Sequence, residues 1–189
     1  MSGGVYILEM SSYQLDLIDK AHFHIASLLN ITPDHLDRHQ DMKGYITAKK
    51  RIFMNQQSGD FALIGIDNEN SKKVYEELKS DPNFKAKIIP ISTKIITEDG
   101  VSVIDGIIYN NIDNKITINL GDLPFLKGEH NAQNIAIAFT NCFLSAIDPE
   151  KIVESIRSFK GLSHRMQLVG RINNINFIND SKATNAEST

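Results

Sequence analysis

Five ionisable side chains lie within six consecutive positions, shortly after an apolar run. The run covers residues 25–31, and the ionisable groups are Asp34, His35, Asp37, Arg38 and His39. The β-branched run predicts a buried strand, which the turn-forming residues 32–34 end. Open α/β sheets place metal and ligand chemistry at the carboxyl ends of such strands. The alternative is a solvated loop that leads into an ordinary amphipathic helix.

Glu9 provides a carboxylate at an equivalent place. Residues 5–8 form an apolar run, so the sequence predicts a buried parallel strand over 5–9 with Glu9 at its carboxyl end. Two successive strands would then each end at a possible metal ligand, Glu9 and His35. Taken alone, Glu9 is more typical of a helix-capping or ion-paired carboxylate.

The composition is that of a soluble globular protein. The chain has 189 residues, of which 41% are hydrophobic and 23% charged, and its net charge is -3. This charge gives no basic footprint for nucleic acid, and no apolar run reaches the roughly 20 residues that a membrane helix needs. The single Cys142 has no internal disulfide partner, and its apolar helical neighbours favour buried packing. We therefore expect a cytoplasmic protein that binds neither nucleic acid nor membrane.

Strand and helix patterns alternate along the first half of the chain. Ser11 and Ser12 can cap the first helix. The pattern predicts strands over 24–31, 61–66 and 87–92, and helices over 13–20, 45–55 and 70–80. This alternation predicts an α/β fold with a mostly parallel sheet flanked by helices. Between 97 and 125 the apolar period changes to two, which predicts a small antiparallel β-hairpin section added to the sheet.

Two further helices and a strand pair are predicted in the rest of the chain. One helix follows residues 127–131, and the other covers 149–159 with a proline at its tolerated first position. The strands cover 166–170 and 175–178. A hairpin between them would return Arg165 and Asp180 to one edge, where the two can also form a plain salt bridge.

Six motifs occur along the chain in a fixed order. They are Glu-Met-Ser-Ser-Tyr-Gln-Leu at 9–15, Leu-Asn-Ile-Thr-Pro-Asp-His-Leu-Asp-Arg-His at 29–39, Tyr-x-x-Ala-Lys at 45–49, Gly-Glu-His-Asn-x-x-Asn at 128–134, Gly-Leu-x-His-Arg at 161–165 and Asn-Asp-Ser-Lys-Ala-Thr-Asn at 179–185. Together they resemble the Mur ligases, the ATP-dependent amide ligases of peptidoglycan assembly. The last motif is most similar to the D-glutamate-adding branch. The sister ligases and folylpolyglutamate synthase, a relative, carry other sequences there.

The resemblance implies a domain organisation and a reaction. Mur ligases have three domains, and the matching part is the central one. Residues 1–180 are therefore expected to be a partial central ATP-binding domain, and 181–189 the start of the connection to a C-terminal domain. In the implied reaction, the carboxylate of UDP-N-acetylmuramoyl-L-alanine attacks the γ-phosphate of ATP and forms an acyl phosphate. The amine of D-glutamate then displaces phosphate, and Mg²⁺ is expected to neutralise the crowded oxygens.

The resemblance also assigns catalytic residues. Glu9 and His35 match magnesium ligands. Lys49 matches the lysine that is carbamylated in the family, where the resulting anionic group helps to hold a second metal; Lys50 is the neighbouring alternative, and the Tyr-x-x-Ala-Lys spacing favours Lys49. Carbamylation requires a neutral amine, so the site should lower the lysine pKa by desolvation or nearby cations. Lys182 completes the expected catalytic set.

Other positions match nucleotide and substrate contacts. The nucleotide-contacting set is Asn131, Asn134, Arg165 and Asp180. Amides can read an adenine edge, an arginine can neutralise phosphate, and a carboxylate can accept ribose hydroxyls. Asn131 can instead order the turn before its helix. Lys182 and Thr184 match residues near the phosphate and the incoming D-glutamate, and His130 and His164 fit either an adenine pocket or structural turns.

The family's phosphate-binding loop is not found in this sequence. No Gly-x-x-x-x-Gly-Lys-Ser/Thr motif occurs, and its expected place lies upstream of Glu9. We therefore interpret the chain as a fragment that lacks this loop and the family's N- and C-terminal domains, and we expect it to be inactive alone. One alternative is a free-standing, non-catalytic module that binds nucleotide or metal weakly or only pairs with a partner. Another is a different Mur ligase or a folylpolyglutamate synthase-type ligase.

Overall fold

Six strands form one sheet in the computed structural model, which describes residues 4–183. The strands stand in chain order, from β1 to β6. They are β1 (Ile25–Leu28), β2 (Phe61–Gly65), β3 (Lys87–Ser92), β4 (Val101–Ile104), β5 (Ile107–Asn110) and β6 (Ile116–Asn119). Strands β1 to β4 pair in parallel, whereas β4, β5 and β6 pair antiparallel. This confirms the predicted mostly parallel sheet with a small hairpin section.

Helices follow the strands as the alternating pattern predicts. They are α1 (Ser12–Leu17), α2 (Leu36–His39), α3 (Met42–Lys50), the 3-10 helix Arg51–Phe53, α4 (Glu69–Ser80), α5 (Glu129–Leu144) and α6 (Pro149–Ser158). Ser11 caps α1 in a reciprocal capping box with Gln14, as the sequence predicts for this serine. Helix α1 ends three residues before the predicted position 20, at Leu17.

The sheet is buried on both faces. Along β2, Leu63 packs into a core with α5 and α6, whereas Ala62 and Ile64 pack into a second core with α3 and α4. Successive strand residues point to opposite faces, so a strand covered on both sides must be apolar throughout. This explains the uninterrupted apolar run over 61–66. Cys142 is half-buried against the first core, in agreement with a packing role.

A separate two-stranded sheet follows α6. Strands β7 (Gln167–Ile172) and β8 (Ile175–Asn179) pair antiparallel with each other and not with the six-stranded sheet. The hairpin confirms the predicted return of the chain: the backbone N–H of Met166 donates to Asp180 Oδ1 at 3.0 Å. Among the described residues, Arg165 and Asp180 do not form the salt bridge considered from the sequence.

The predicted strand over 5–9 is wrong for this structure. Residues 5–8 adopt no regular secondary structure, and their side chains are between 63% and 93% exposed. A buried strand needs a hydrogen-bonding neighbour and cover on both faces. Within residues 4–183, β1 has β2 as its one neighbour, and no strand pairs with its other edge. The apolar pattern is therefore present without the pairing that would make it a strand.

A buried carboxylate ties the start of β1 to the loop before β2. Asp60 is 5% exposed and accepts hydrogen bonds from His22 Nε2 at 2.6 Å, His24 Nδ1 at 3.0 Å and the backbone N–H of Gln57 at 2.6 Å. Burial raises the pKa of Asp60, but the bonds from Gln57, His22 and His24 outweigh it and lower this pKa to about 2.

This lowered pKa predicts an acid-sensitive contribution to stability. Because the folded state holds the Asp60 proton less tightly than the unfolded chain, the contribution is complete above about pH 4 and is lost as the pH falls through about 2. Its expected size is about 2 kcal/mol. Asp60→Asn should lower the urea midpoint at pH 6 and reduce the loss of stability between pH 4 and 2. An unchanged acid slope in this variant would contradict the assignment.

Candidate functional site

Lys49 lies half-buried on α3, where two carboxylates act on its amine. Burial lowers the pKa of Lys49, whereas the negative charges of Asp34 and Glu9 act to raise it, and the net shift is downward. The amine lies 5.6 Å from the centre of the Tyr45 ring. For Tyr45, burial and the negative charge of Asp34 both raise the pKa of the phenol. The structure thus brings together a lysine that loses its proton more readily than usual and two acidic groups.

His35 stands at the turn between β1 and α2. Its backbone φ is 52°, in the left-handed region that few non-glycine residues adopt. The His35 Nε2 atom lies 3.4 Å from Asp34 Oδ2, and the ring meets Tyr13 edge-to-face at 5.1 Å. The imidazole is exposed. It is therefore held at the surface by its neighbours and remains open to a ligand.

Glu9 does not occupy the strand end that the sequence predicts. It lies in the irregular segment before α1 and is exposed, so it does not end a strand. Its charge nevertheless acts on Lys49. Among residues 4–183, no three His, Cys, Asp or Glu side chains group closely enough to hold a metal ion by themselves.

Helix α1 is fixed against the end of α3 by an arginine. The Arg51 guanidinium donates to the carbonyl oxygen of Leu15 at 2.8 Å and also to that of Ile18. Both carbonyls lie at the C-terminal end of α1, where that of Leu15 also accepts the backbone N–H of the C-cap residue Ile18 at 3.4 Å. The lysine-bearing helix and the segment after Glu9 are thereby held together.

The two asparagines of the motif at 128–134 lie in the first turns of α5. Asn131 Nδ2 donates to the carbonyl oxygen of Lys127 at 2.8 Å, so this side chain orders the turn before its helix, as the alternative from the sequence states. Asn134 is exposed. Its amide is free to contact a ligand.

Gln133, which sequence analysis did not select, joins α5 to the end of β1. Its side chain is 8% exposed, donates to the carbonyl oxygen of Leu29 at 3.0 Å and accepts from Asn30 Nδ2 at 3.0 Å. The only signal in the sequence is a glutamine among the apolar positions of a buried helix. The side chain links the asparagine-bearing helix to the strand that leads to His35.

A groove of about 390 Å³ opens beside Gln133 at the carboxyl ends of β1, β2 and β3. His130 lines it, together with Asn30, Asp67, Asn68, Thr93, Lys94 and Glu129. Lys94 Nζ lies 3.2 Å from Glu129 Oε1 across this groove. The groove is the position at which parallel α/β sheets generally bind ligands.

The remaining predicted residues belong to the base of the β7–β8 hairpin. Asp180 accepts from Met166 as described, and the backbone N–H of Lys182 donates to the carbonyl oxygen of His164 at 3.0 Å. His164 Nδ1 accepts from Asn179 Nδ2 at 3.0 Å, which is a structural turn contact. Arg165 and Lys182 are exposed. Thr184 lies outside the described residues.

The predicted site residues thus form separate groups. Glu9, His35 and Lys49 lie around α1 and α3, the asparagines lie on α5, and Arg165, Asp180 and Lys182 lie at the hairpin. Within the described part of the chain, no hydrogen bond or ion pair joins Arg165, Asp180 or Lys182 to the group of Glu9, His35 and Lys49. No helix of the described residues is long and apolar enough to cross a membrane.

Comparison with known proteins places these features in a family. The family described as Mur ligase middle domain matches residues 2–142. The UDP-N-acetylmuramoylalanine--D-glutamate ligase of Rickettsia bellii (strain RML369-C) is 46% identical over 185 residues, which are 98% of this chain and 41% of that protein. The protein of the same name from Caulobacter sp. (strain K31) is 42% identical over 189 residues. The chain thus spans about 40% of the length of the curated relatives that it matches.

Solved structures share the fold. A crystal structure of MurF from Acinetobacter baumannii aligns with a TM-score of 0.64 at 22% identity and covers 94% of this chain and 37% of that chain. A pseudomurein peptide ligase type C from Methanothermus fervidus aligns with a TM-score of 0.57 at 18% identity, over 83% of this chain and 38% of that one. The match over residues 2–142 shows that the chain belongs to the Mur ligase family, through its middle domain.

Proposed function

We propose that this chain provides the ATP-binding part of an enzyme that joins D-glutamate to UDP-N-acetylmuramoyl-L-alanine in peptidoglycan synthesis. The observation that carries the proposal is the 46% identity over 98% of the chain to a relative whose name states this reaction. The solved relatives, at 22% identity or less, support the fold and do not separate one amino-acid acceptor from another. We place the enzyme in the cytoplasm.

The surroundings of Lys49 support the proposed chemistry. Carbamylation converts an amine into an anionic carbamate and requires that the amine be neutral when CO₂ adds. Burial lowers the pKa of Lys49 and so increases its neutral fraction. The carbamate would be negative where the ammonium was positive, close to Asp34 and Glu9, so a cation would be needed to balance the three charges.

The donor set around Lys49 fits Mg²⁺ in the proposed enzyme. Glu9 and His35 would supply one carboxylate and one imidazole, and the carbamate on Lys49 would add anionic oxygens, which are the ligands that this ion prefers. Mg²⁺, when bound, would neutralise charge on the phosphate oxygens. The chain's own contribution is to hold these donors in the segment before α1, at the turn before α2 and on α3. Arg51 helps to fix the end of α1 against α3.

Nucleotide contacts are proposed for Asn131, Asn134, Arg165 and Asp180. The exposed Asn134 amide is suited to an adenine edge and Arg165 to phosphate oxygens. Asn131 and Asp180 already form local hydrogen bonds through Nδ2 and Oδ1, so each has one remaining oxygen to offer a ligand. Lys182 and Thr184 are proposed to act near the phosphate and the incoming amino acid.

The proposed reaction has two steps. A carboxylate oxygen of UDP-N-acetylmuramoyl-L-alanine attacks the γ-phosphorus of ATP, and ADP leaves. The neutral amine of D-glutamate then attacks the acyl carbon, phosphate leaves, and the nitrogen gives up a proton. Crowded anions in both steps require nearby cations, a role that Arg165 and Lys182 can share.

The domain assignment stays a prediction. The family match ends at residue 142, and β7 and β8 form their own sheet. We retain residues 1–180 as a partial central domain and 181–189 as the start of a connection.

The test is a chimera in which this chain replaces the matching segment of the Rickettsia bellii relative. With ATP, Mg²⁺ and UDP-N-acetylmuramoyl-L-alanine, we expect phosphate release that depends on D-glutamate and not on D-alanine or L-lysine. The intact relative is the positive control. The 189-residue chain alone should not turn over, because its sequence holds no phosphate-binding loop motif.

The assay also separates the alternatives. Turnover with another amino acid and none with D-glutamate would place the chain in a different branch of the family. Tight binding of ATP by the 189-residue chain in calorimetry, together with an inactive chimera, would favour a non-catalytic nucleotide-binding module.

A further inference from the structure

A buried serine holds the last residue of α2. Ser12, the first residue of α1, is 1% exposed, and its Oγ lies 2.9 Å from Nε2 of His39. A buried hydroxyl without a partner costs about 1–3 kcal/mol, so the folded state is more stable when this bond is formed. It fixes the position of the His39 ring relative to α1.

The His39 ring in turn packs between two tyrosines. Its centre lies 5.8 Å from the Tyr13 ring, with the planes at 61°, and 5.5 Å from the Tyr45 ring, with the planes at 41°. Tyr45 is 5% exposed, and the Lys49 amine lies 5.6 Å from the centre of its ring. Ser12, His39, Tyr45 and Lys49 therefore form a continuous column of contacts.

The backbone restricts movement between the end of α2 and the start of α3. Gly44, in the first turn of α3, approaches the carbonyl oxygen of His39 so closely that a Cβ at this position would overlap it. Asp41 caps α3 by accepting from the backbone N–H of Gly44 at 2.7 Å. The end of α2 and the start of α3 thus have little freedom to move apart, and His39 stays against Tyr45.

We propose that His39 is a positioning residue for Lys49: through its bond to Ser12 and its contact with Tyr45, it holds the lysine amine against the Tyr45 ring. His39 does no chemistry in this proposal. It acts through the Tyr45 ring, which limits where the flexible lysine side chain can lie. The proposal rests on the function proposed above for Lys49, although the position of the amine can be measured independently of carbamylation.

The first measurement is NMR of the 189-residue chain labelled with ¹³C-lysine. Proximity to the Tyr45 ring should displace the Lys49 CεH₂ signal from those of exposed lysines, and Lys49→Arg assigns it by its disappearance. We expect His39→Ala and Ser12→Ala each to remove about half or more of this displacement. Because both variants break the same contact, the double variant should lose no more than either single one.

Two further variants separate the hydrogen bond from general packing. His39→Gln places an amide within reach of Ser12 and should recover most of the displacement, whereas His39→Phe retains the ring without the bond and should not. Thr47→Ala, on the exposed side of the same helix, is the matched control and should leave the signal unchanged. Should His39→Ala fail to fold, Ser12→Ala and His39→Gln still decide the matter.

A second measurement follows the carbamate itself. In ¹³CO₂-saturated buffer the wild-type chain should show a lysine carbamate signal, and His39→Ala should lower its intensity about fivefold, as expected for the loss of one net hydrogen bond. No carbamate in the wild type, with a lysine signal that still responds to His39, would count against the proposed function and leave the positioning role intact. A Lys49 signal unchanged in both His39→Ala and Ser12→Ala would overturn the positioning role.

Discussion

Lys49→Arg is expected to lower the ligase turnover of the chimera by about 100-fold or more relative to the unsubstituted chimera. Arginine keeps the positive charge and much of the length of lysine, but its guanidinium stays protonated in proteins and cannot add CO₂. The variant therefore retains a cation beside Asp34 and Glu9 and loses only the anionic group proposed there. The measurement is D-glutamate-dependent phosphate release at saturating ATP and Mg²⁺.

Lys50→Arg is the matched control, because it makes the same change one position further along. Lys50 Nζ pairs with Glu77 Oε2 at 2.8 Å, away from the cluster, and an arginine can keep this ion pair. Its activity should stay within about twofold of the unsubstituted chimera, in keeping with the small value of exposed ion pairs. Removal of CO₂ from the buffer should slow the unsubstituted chimera and have no effect on Lys49→Arg. Full activity of Lys49→Arg would refute the carbamate.

The parallel sheet could be predicted because its apolar runs have an unambiguous physical meaning. Residues 61–66 and 87–92 have the length of strands, and their central residues are apolar at consecutive positions, which requires cover on both faces. The structure supplies that cover with α3 and α4 on one side and α5 and α6 on the other. The change to a period of two after residue 97 likewise predicted the antiparallel β4, β5 and β6.

The strand over 5–9 shows the limit of the same argument. Its pattern satisfies the requirement for a buried strand, but pairing depends on a neighbour that periodicity within the segment does not reveal. Glu9 consequently lies before α1 and not at a strand end. Its charge still acts on Lys49 from this position.

The backbone conformation and the long-range contacts of the site residues could not be predicted from the sequence. The left-handed backbone of His35 is set by the turn between β1 and α2, and nothing in the residue type indicates it. Gln133 and the bond between Ser12 and His39 join elements that are far apart in the chain. Such long-range polar contacts leave almost no local pattern, and they determine how the chemically obvious residues are held.

Gly65→Ala is expected to give the largest loss of stability, about 3 kcal/mol or more. Gly65 is the last residue of β2, and a Cβ there would overlap the carbonyl oxygen of Leu29 and lie 2.7 Å from Gln133 Nε2. The absence of a side chain thus lets α5 and the end of β1 meet above β2. Urea unfolding followed by circular dichroism should show a lower midpoint. Gly170→Ala, where no heavy atom lies within 4 Å, should change the free energy of unfolding by about 0.5 kcal/mol or less.

A double variant identifies which neighbour causes the loss. Gln133→Ala removes the flexible side chain that the new methyl group would meet but leaves the carbonyl of Leu29, which belongs to the backbone of the strand end. If the backbone overlap dominates, Gly65→Ala with Gln133→Ala should be at least as unstable as Gly65→Ala alone, since the amide bonds to Leu29 and Asn30 are lost as well. Recovery of stability in the double variant would show instead that the glycine is required only to admit the Gln133 side chain.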